Sequence, residues 1–169
     1  MNKQSLFFTA IVAIVATALM LILIIFYTKK QKIKSESDQI FSISYSIWIT
    51  SIMVSFFMYL KVALDLIENS IELIVSSKTI ESTFLTVMEK IIIFSGFTFI
   101  FTTLSYFIVH NLLKVTMGNR VDSIELEKEN KGYFIIKALI LIMLSFSLLT
   151  IFQDFLSWFM IKVETPFYH

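Results

Sequence analysis

The chain has 169 residues, of which 57% are hydrophobic and only 16% charged, with a net charge of +1 at pH 7 and no cysteine. Globular domains are nearer half apolar and a quarter charged, so this composition argues against a soluble helical protein, whose helices would show polar faces. The near-neutral charge argues against nucleic acid as a partner. The lack of cysteine excludes disulfides, thiolate chemistry and cysteine-ligated metals.

Four long apolar segments alternate with bunched charges. Each is about 20 residues long, the length that a helix needs to cross a hydrocarbon core of roughly 30 Å. We predict an all-α, polytopic membrane protein that forms a single membrane domain, residues 1–169. The fourth span carries Lys137 near its start. The four transmembrane helices are expected at about residues 5–28, 40–60, 91–113 and 133–153.

The first span resembles a secretory signal peptide, because Ala16-Thr17-Ala18 looks like a cleavage site. The apolar run nevertheless continues for nine more residues, LMLILIIFY. Such a segment is too long for a signal-peptide core, so we expect an uncleaved membrane anchor.

Basic residues between the spans predict the orientation. The loops at residues 29–39 and 114–132 carry eight lysines and arginines, whereas the opposite side has only Lys3, Lys78 and Lys162 outside the spans and their helical extensions. Both loops are therefore expected in the cytoplasm and both termini outside. Lysine outnumbers arginine 13 to 1, which is typical of AT-rich bacterial genomes. The expected location is the bacterial inner membrane, with the lipid bilayer as one partner.

The second cytoplasmic loop contains charges of alternating sign in the stretch NRVDSIELEKENKG, residues 119–132. One interpretation is a solvated interfacial helix or loop in which opposite charges pair one helical turn apart. The other interpretation is a docking surface for a cytoplasmic partner protein.

The two halves of the chain share one order of elements: a span, a charged loop and a second span. A shift of 91 residues aligns residues 33–43 with residues 124–134 and also superposes the two pairs of spans. This predicts two parallel two-helix repeats, related by an axis along the membrane normal. The alternative is two similarly built hairpins without duplication.

An acidic residue followed by asparagine leads into the last span, in Glu129-Asn130-Lys131-Gly132. With its doubled two-helix unit, the chain resembles the bacterial membrane family described as domain of unknown function 350. The resemblance would cover most of the chain. The family has no assigned activity or catalytic residues, so the resemblance implies a fold and no chemistry.

Hydroxyl side chains recur at helical spacing in the third and fourth spans. Steps of three and four residues put each set along one side of its helix. Small hydroxyl residues let membrane helices approach closely and hydrogen-bond to each other. The alternative is that these stripes line a pore. The candidate residues of this polar helix contact or pore are Ser95, Thr98, Thr102, Ser105, Ser147, Thr150, Asp154 and Ser157.

Asp154 has two interpretations. Ionisable side chains within membranes are costly and tend to be functional, which favours a pore or ion site. However, Asp154 lies about 20 residues past the start of its span, and aromatic residues typical of an interfacial belt follow it. This favours a position at the outer interface.

Motifs that carry chemistry are missing from the sequence, including Gly-rich phosphate loops, His–Glu metal spacings and nucleophile elbows. The histidines, His110 and His169, are predicted on opposite sides of the membrane, which argues against a metal site built on both. We expect no catalytic residue, no metal, no cofactor and no enzyme activity. His110 is either a solvated interfacial histidine or a proton-sensing site.

Residues 61–90 predict an outer helical hairpin between the second and third spans. Charged residues follow Lys61 at steps of 4, 3 and 4, on one side of a continuing helix. At 1.5 Å per residue the hairpin would project roughly 20 Å, with Ser76-Ser77-Lys78 as its turn. The alternative places Lys61 and Asp65 in the outer leaflet, paired with Glu89 and Lys90. The candidate partner-contact residues are Lys61, Asp65, Glu68, Glu72, Glu89 and Lys90.

Two functions agree with these features. The first is an oligomeric structural or interaction subunit of a bacterial membrane assembly. It would contact copies of itself and other membrane or envelope proteins through the hairpin and the charged loop. The second is a homo-oligomeric ion channel or small transporter, in which the hydroxyl stripes and Asp154 line the path.

Overall fold

The computed structural model describes residues 3–30, 42–76 and 83–160. These residues form four long helices and one short helix: α1 (Lys3–Lys30), α2 (Ile43–Ser76), α3 (Thr83–Met117), α4 (Asp122–Glu127) and α5 (Lys131–Ser157). The long helices are each long and apolar enough to cross a membrane. The prediction of an all-helical protein with four candidate spans is therefore confirmed for the described part of the chain.

Helix α2 is the centre of the bundle and packs against α1, α3 and α5. Its buried face combines small and large side chains: Ser51 and Ser55 lie between Trp48, Phe56 and Tyr59. Small residues let neighbouring helices approach α2, and the aromatic rings fill the space above and below them. Helix α1 lies at the edge, where most of its apolar side chains are exposed. Such a surface is suited to lipid contact.

The bundle has two ends, which we name by their helices. At the α4 end, α1 and α3 finish while α2 and α5 begin; at the far end, α1 and α3 begin while α2 and α5 finish. Each end has its own cluster of buried apolar residues. Trp48, Val109 and Phe134 belong to the cluster at the α4 end. Tyr59, Phe94 and Phe152 belong to the cluster toward the far end.

Helices α2 and α3 are longer than the predicted spans. α2 has 34 residues and α3 has 35, which at 1.5 Å per residue is about 50 Å each. At the far end, Ile67, Ile71 and Ile74 of α2 are buried in one cluster with Val87 of α3. The apolar side of α2 at the far end is therefore covered by α3 of the same chain. The turn predicted at Ser77 and Lys78 lies outside the described residues.

The segment between α3 and α5 folds back onto the α4 end. α3 stops where Gly118 takes a φ of +84°, a left-handed conformation that favours glycine and commonly ends helices. Between α4 and α5, Glu129 has a φ of 48°. Asn130 then caps α5, because its side-chain oxygen accepts a hydrogen bond from Tyr133 N at 3.2 Å. The predicted loop at residues 114–132 thus contains two turns around a short helix.

Candidate functional site

A buried ion pair joins α4 to α5. Lys137 of α5 is 1% exposed and Asp122 of α4 is 7% exposed. Lys137 Nζ donates hydrogen bonds to Asp122 Oδ1 at 2.7 Å and to Oδ2 at 2.5 Å. A buried charge without a partner would be strongly destabilising, so each residue makes the position of the other tolerable.

Two tyrosines complete the coordination of the carboxylate. Tyr106 of α3 donates its hydroxyl hydrogen to Asp122 Oδ2, and Tyr133 of α5 donates to Oδ1 at 3.0 Å. Tyr106 OH accepts hydrogen bonds from Lys137 Nζ at 3.2 Å and from Trp48 Nε1 at 3.1 Å. Three long helices and α4 therefore meet at one polar centre. We call it the ionic cluster: Trp48, Tyr106, His110, Asp122, Tyr133 and Lys137.

The ring faces of the tyrosines add to the stabilisation of the ammonium group. Lys137 Nζ lies 4.4 Å from the ring centroid of Tyr106 and 5.7 Å from that of Tyr133. A cation within about 6 Å of an aromatic centroid is attracted by the negative face of the ring. The cluster thus provides both a counter-ion and aromatic contacts in place of water.

The cluster holds Asp122 in its charged form. Burial raises the pKa of the Asp122 carboxyl, but the nearby charge of Lys137 and the hydrogen bonds from Lys137 and Tyr106 outweigh burial. As a result, the pKa of Asp122 lies below the ordinary value for aspartic acid. The carboxylate therefore stays ionised throughout the neutral range, and the ion pair persists there.

His110 forms the open side of the ionic cluster. Its Nδ1 lies 3.7 Å from Asp122 Oδ2 and 3.4 Å from Lys137 Nζ, and its ring stacks on Tyr106. The side chain is 30% exposed, so a proton can reach it from solvent. A protonated His110 would be attracted by Asp122 and repelled by Lys137. Proton sensing at this residue stays a prediction.

A second polar layer ties α4 to the start of α5. Glu125 is buried; its carboxylate accepts a hydrogen bond from Asn130 Nδ2 at 2.5 Å and from Arg120 Nη1 at 3.3 Å. Asn130 also caps α5, so one side chain connects both helices. The alternating charges of this loop separate into two sets. Asp122 and Glu125 point inward, whereas Glu127, Lys128 and Glu129 are exposed.

The hydrogen bonds of the ionic cluster leave neither carboxylate oxygen of Asp122 without a partner. Lys137, Tyr106 and Tyr133 already occupy both carboxylate oxygens of Asp122. Within residues 3–30, 42–76 and 83–160, no group of three or more His, Asp or Glu side chains is placed to hold a metal ion. The cluster therefore joins α2, α3, α4 and α5 through polar contacts.

The hydroxyl stripe predicted on α3 lies inside the bundle. Thr98 and Thr102 are buried, and each hydroxyl donates to the backbone carbonyl four residues earlier, at 3.0 and 2.8 Å. Ser105 Oγ lies 2.8 Å from Tyr59 OH of α2. Ser95 Oγ is buried and has no hydrogen-bond partner among the described residues. Within the chain, this stripe packs in helix–helix contacts.

The stripe predicted on α5 lies on the opposite side of that helix. Ser147, Thr150, Asp154 and Ser157 are exposed. The bundle-facing hydroxyl of α5 is instead Ser145, whose Oγ lies 2.5 Å from Ser55 Oγ of α2. The two predicted stripes therefore do not face each other within one chain. The α5 stripe faces away from the other described helices, so a helix that packs on it would belong to a second molecule.

The predicted partner-contact residues lie toward the far end of the bundle. Lys61, Asp65 and Glu89 are exposed, and Glu68, Glu72 and Lys90 are half-buried. Lys90 Nζ lies 3.6 Å from Glu89 Oε1. In the described part of the chain, neither Lys61 nor Asp65 makes an ion pair, so the predicted pairing of these residues with Glu89 and Lys90 is not seen there.

Sequence analysis missed the ionic cluster. Lys137 was the available signal, because an ionisable residue within a span suggests a function and requires a partner. Its partner, Asp122, is one of several acids in a charged loop, and nothing in the pattern distinguishes it. Tyr106 and Tyr133 look like ordinary aromatic residues near the end of a span.

Comparison of the chain with models of known protein families, with curated proteins and with solved structures gave no match. The resemblance to the family with domain of unknown function 350 therefore stays a prediction.

Proposed function

We propose that this protein is a non-enzymatic integral membrane protein, an oligomeric structural or interaction subunit of an assembly in the bacterial inner membrane. One observation carries the proposal: the ion pair between Lys137 and Asp122 fixes α4 on the bundle. Most loops that join helices are mobile. A loop held by a buried, fully bonded ion pair keeps its outer surface in one geometry.

The surface held in this way is charged and accessible. Glu127, Lys128, Glu129 and Lys131 are exposed around the end of α4. Charges of both signs in a fixed arrangement can select a partner whose charges are complementary, and they repel partners with the wrong pattern. A rigid surface also binds at a lower entropic cost than a mobile loop. These properties favour a docking site for another protein.

The exposed stripe of α5 supports assembly within the membrane. Ser147, Thr150, Asp154 and Ser157 share the face of α5 that points away from α2. The hydroxyls of Ser147 and Ser157 donate to carbonyls of their own helix, but the Asp154 carboxylate is poorly solvated by lipid tails, so a neighbouring helix is a better environment for this face. A second copy of the chain provides the same stripe and makes a symmetric contact.

The proposed topology follows from the basic residues. The α4 end faces the cytoplasm, both termini lie outside, and the extensions of α2 and α3 form an outer hairpin. We also propose that the two halves are parallel repeats, because a shift of 91 residues aligns residues 33–43 with residues 124–134.

The second candidate is a homo-oligomeric ion channel or small transporter. The exposed position of Asp154 on α5 favours it, because several copies of α5 could surround one path and place their carboxylates along it. In a channel this stripe would face water. In the structural subunit it packs against a neighbouring helix.

Purification of the wild type and of one double variant tests the proposal. The protein is isolated from its native membrane, and the mass of the complex is compared for wild type and the double variant Glu127→Lys/Glu129→Lys. We expect a complex of fixed stoichiometry that the variant loses while remaining folded. The same protein in liposomes is expected not to dissipate an ion gradient. If the protein conducts ions and Asp154→Asn abolishes the conductance, the proposal of a structural subunit is overturned and the ion channel is favoured.

A further inference from the structure

An open groove runs between α1 and α2 on the outside of the bundle. Its volume is about 340 Å³, within the range of small-molecule sites in proteins. Thr9, Ala13 and Thr17 line it from α1. Phe57, Leu60 and Leu64 line it from α2. The groove therefore has two helical walls and one side that opens toward the surroundings.

The walls of the groove are effectively apolar. Thr9 Oγ1 donates to the carbonyl of Ser5 at 2.8 Å, and Thr17 Oγ1 donates to the carbonyl of Ala13 at 2.7 Å. Their hydroxyls are thus engaged with their own helix. An apolar, elongated groove on the surface of a membrane-spanning bundle matches a hydrocarbon chain better than a polar solute.

Two opposite charges line one end of this groove. Lys61 and Asp65 of α2 are exposed, lie one helical turn apart, and both border the groove. Within the described residues, neither side chain makes a hydrogen bond or an ion pair. Both charges are therefore available to a ligand, about 6 Å apart along the helix.

The pairing of α1 with α2 indicates the depth of these charges. Near the α4 end, Tyr27 stacks on Trp48, and Thr28 Oγ1 lies 3.4 Å from Tyr45 OH. Such aromatic residues are typical of a membrane interface. Asp65 lies 20 residues beyond Tyr45 along α2, or roughly 30 Å, the thickness of a hydrocarbon core. Asp65 thus reaches the opposite interface, and Lys61 lies one turn deeper.

We propose that this groove binds one phospholipid with a zwitterionic ethanolamine headgroup. One acyl chain lies along Phe57 and Thr17, the phosphate contacts Lys61, and the ammonium contacts Asp65. The order of groups along α2 matches the covalent order of the lipid: hydrocarbon, then phosphate, then ammonium. An anionic glycerol headgroup offers no cation to Asp65. The site does not depend on the proposed assembly role, since a scaffold and a channel could both hold it.

Native mass spectrometry of the delipidated protein tests this site, with phosphatidylethanolamine and phosphatidylglycerol of the same acyl chains added in turn. We expect one phosphatidylethanolamine per chain, bound more tightly than phosphatidylglycerol. Asp65→Asn should weaken phosphatidylethanolamine about fivefold and should not weaken phosphatidylglycerol, because the removed carboxylate repels that anionic lipid. Lys61→Gln should weaken both lipids, and Ala13→Trp, which fills the groove, should abolish both.

Glu89→Gln is the matched control, because it removes an exposed carboxylate at the same end of the bundle but away from the groove. We expect it to bind both lipids as the wild type does. If Ala13→Trp does not fold, Lys61→Gln and Asp65→Asn decide the question, since both replace exposed side chains. Stepwise uptake of several lipids without headgroup preference would overturn the proposal. So would a dimer that Ala13→Trp dissociates while lipid binding is unchanged.

Discussion

The Nζ atom of Lys137 lies within hydrogen-bonding distance of both carboxylate oxygens of Asp122, 2.7 Å from one and 2.5 Å from the other. The two residues are 15 positions apart, on either side of the turn between α4 and α5. This contact connects α5, which is long and apolar enough to cross a membrane, with the charged surface helix α4. If it holds α4 in place, its removal should affect stability, the order of α4 and partner binding together.

Breaking the pair on one side should be costlier than removing both charges. Lys137→Met and Asp122→Asn each leave one buried charge without its partner, so we expect each to destabilise the protein by about 3–5 kcal/mol. The double variant should lose much less than the sum of the two. Unfolding by SDS titration in mixed micelles measures all three free energies. Additive losses would show that the two residues do not interact.

The hydroxyl of Tyr133 should contribute measurably to the cluster. Tyr133→Phe removes a hydrogen bond to a charged carboxylate, so we expect a loss of about 1.5–3 kcal/mol in the free energy of unfolding. Tyr27→Phe is the control, because Tyr27 stacks on Trp48 at the same end of the bundle and is exposed. Its change should stay within about 0.5 kcal/mol. Equal effects of both variants would contradict the role of the hydroxyl.

The protein should lose stability in acid through Asp122. Its pKa is lower in the folded protein than in the unfolded chain, so the unfolded state binds more protons as the pH falls. The stabilisation is fully present above the ordinary aspartic acid value, about 3.9, and is lost as the pH falls through the lowered pKa. Unfolding free energies measured from pH 7 downward should show this loss in the wild type. In Asp122→Asn that part of the pH dependence should be missing.

Asn130 should control the order of α4. Asn130→Ala removes the cap of α5 and the hydrogen bond to Glu125, so we expect a loss of about 1–2 kcal/mol in stability. Amide hydrogen exchange should also become faster in α4, while exchange in α2 changes little. Asn119→Ala, in the exposed turn after α3, is the control. Unchanged exchange in α4 would show that Asn130 acts on α5 alone.

The four spans were predictable because they depend on local properties. A run of roughly 20 mostly apolar residues identifies a helix that can cross a membrane, whatever its neighbours are. The continuation of α2 past Leu60 was also readable, since Asp65, Glu68 and Glu72 recur at helical steps. Periodicity describes a single helix well.

The ionic cluster and the orientation of α5 depend on neighbours. Ser145 and Ser147 both fit a polar pattern on α5, and only the contact with Ser55 decides that Ser145 faces inward. Asp122 reaches Lys137 because the chain reverses around Gly118 and Glu129, both in left-handed conformations. A stripe or a charge in the sequence does not specify which helix it will meet.

Disulfide cross-linking in native membranes tests the assembly most directly, because the chain has no cysteine of its own. Ser147→Cys lies on the exposed stripe of α5, Ser145→Cys faces α2, and Ile14→Cys is 70% exposed on α1. We predict cross-linked dimers for Ser147→Cys and none for the other two variants. Equal cross-linking of Ser147→Cys and Ile14→Cys, or none at all, would contradict an oligomer that packs through α5.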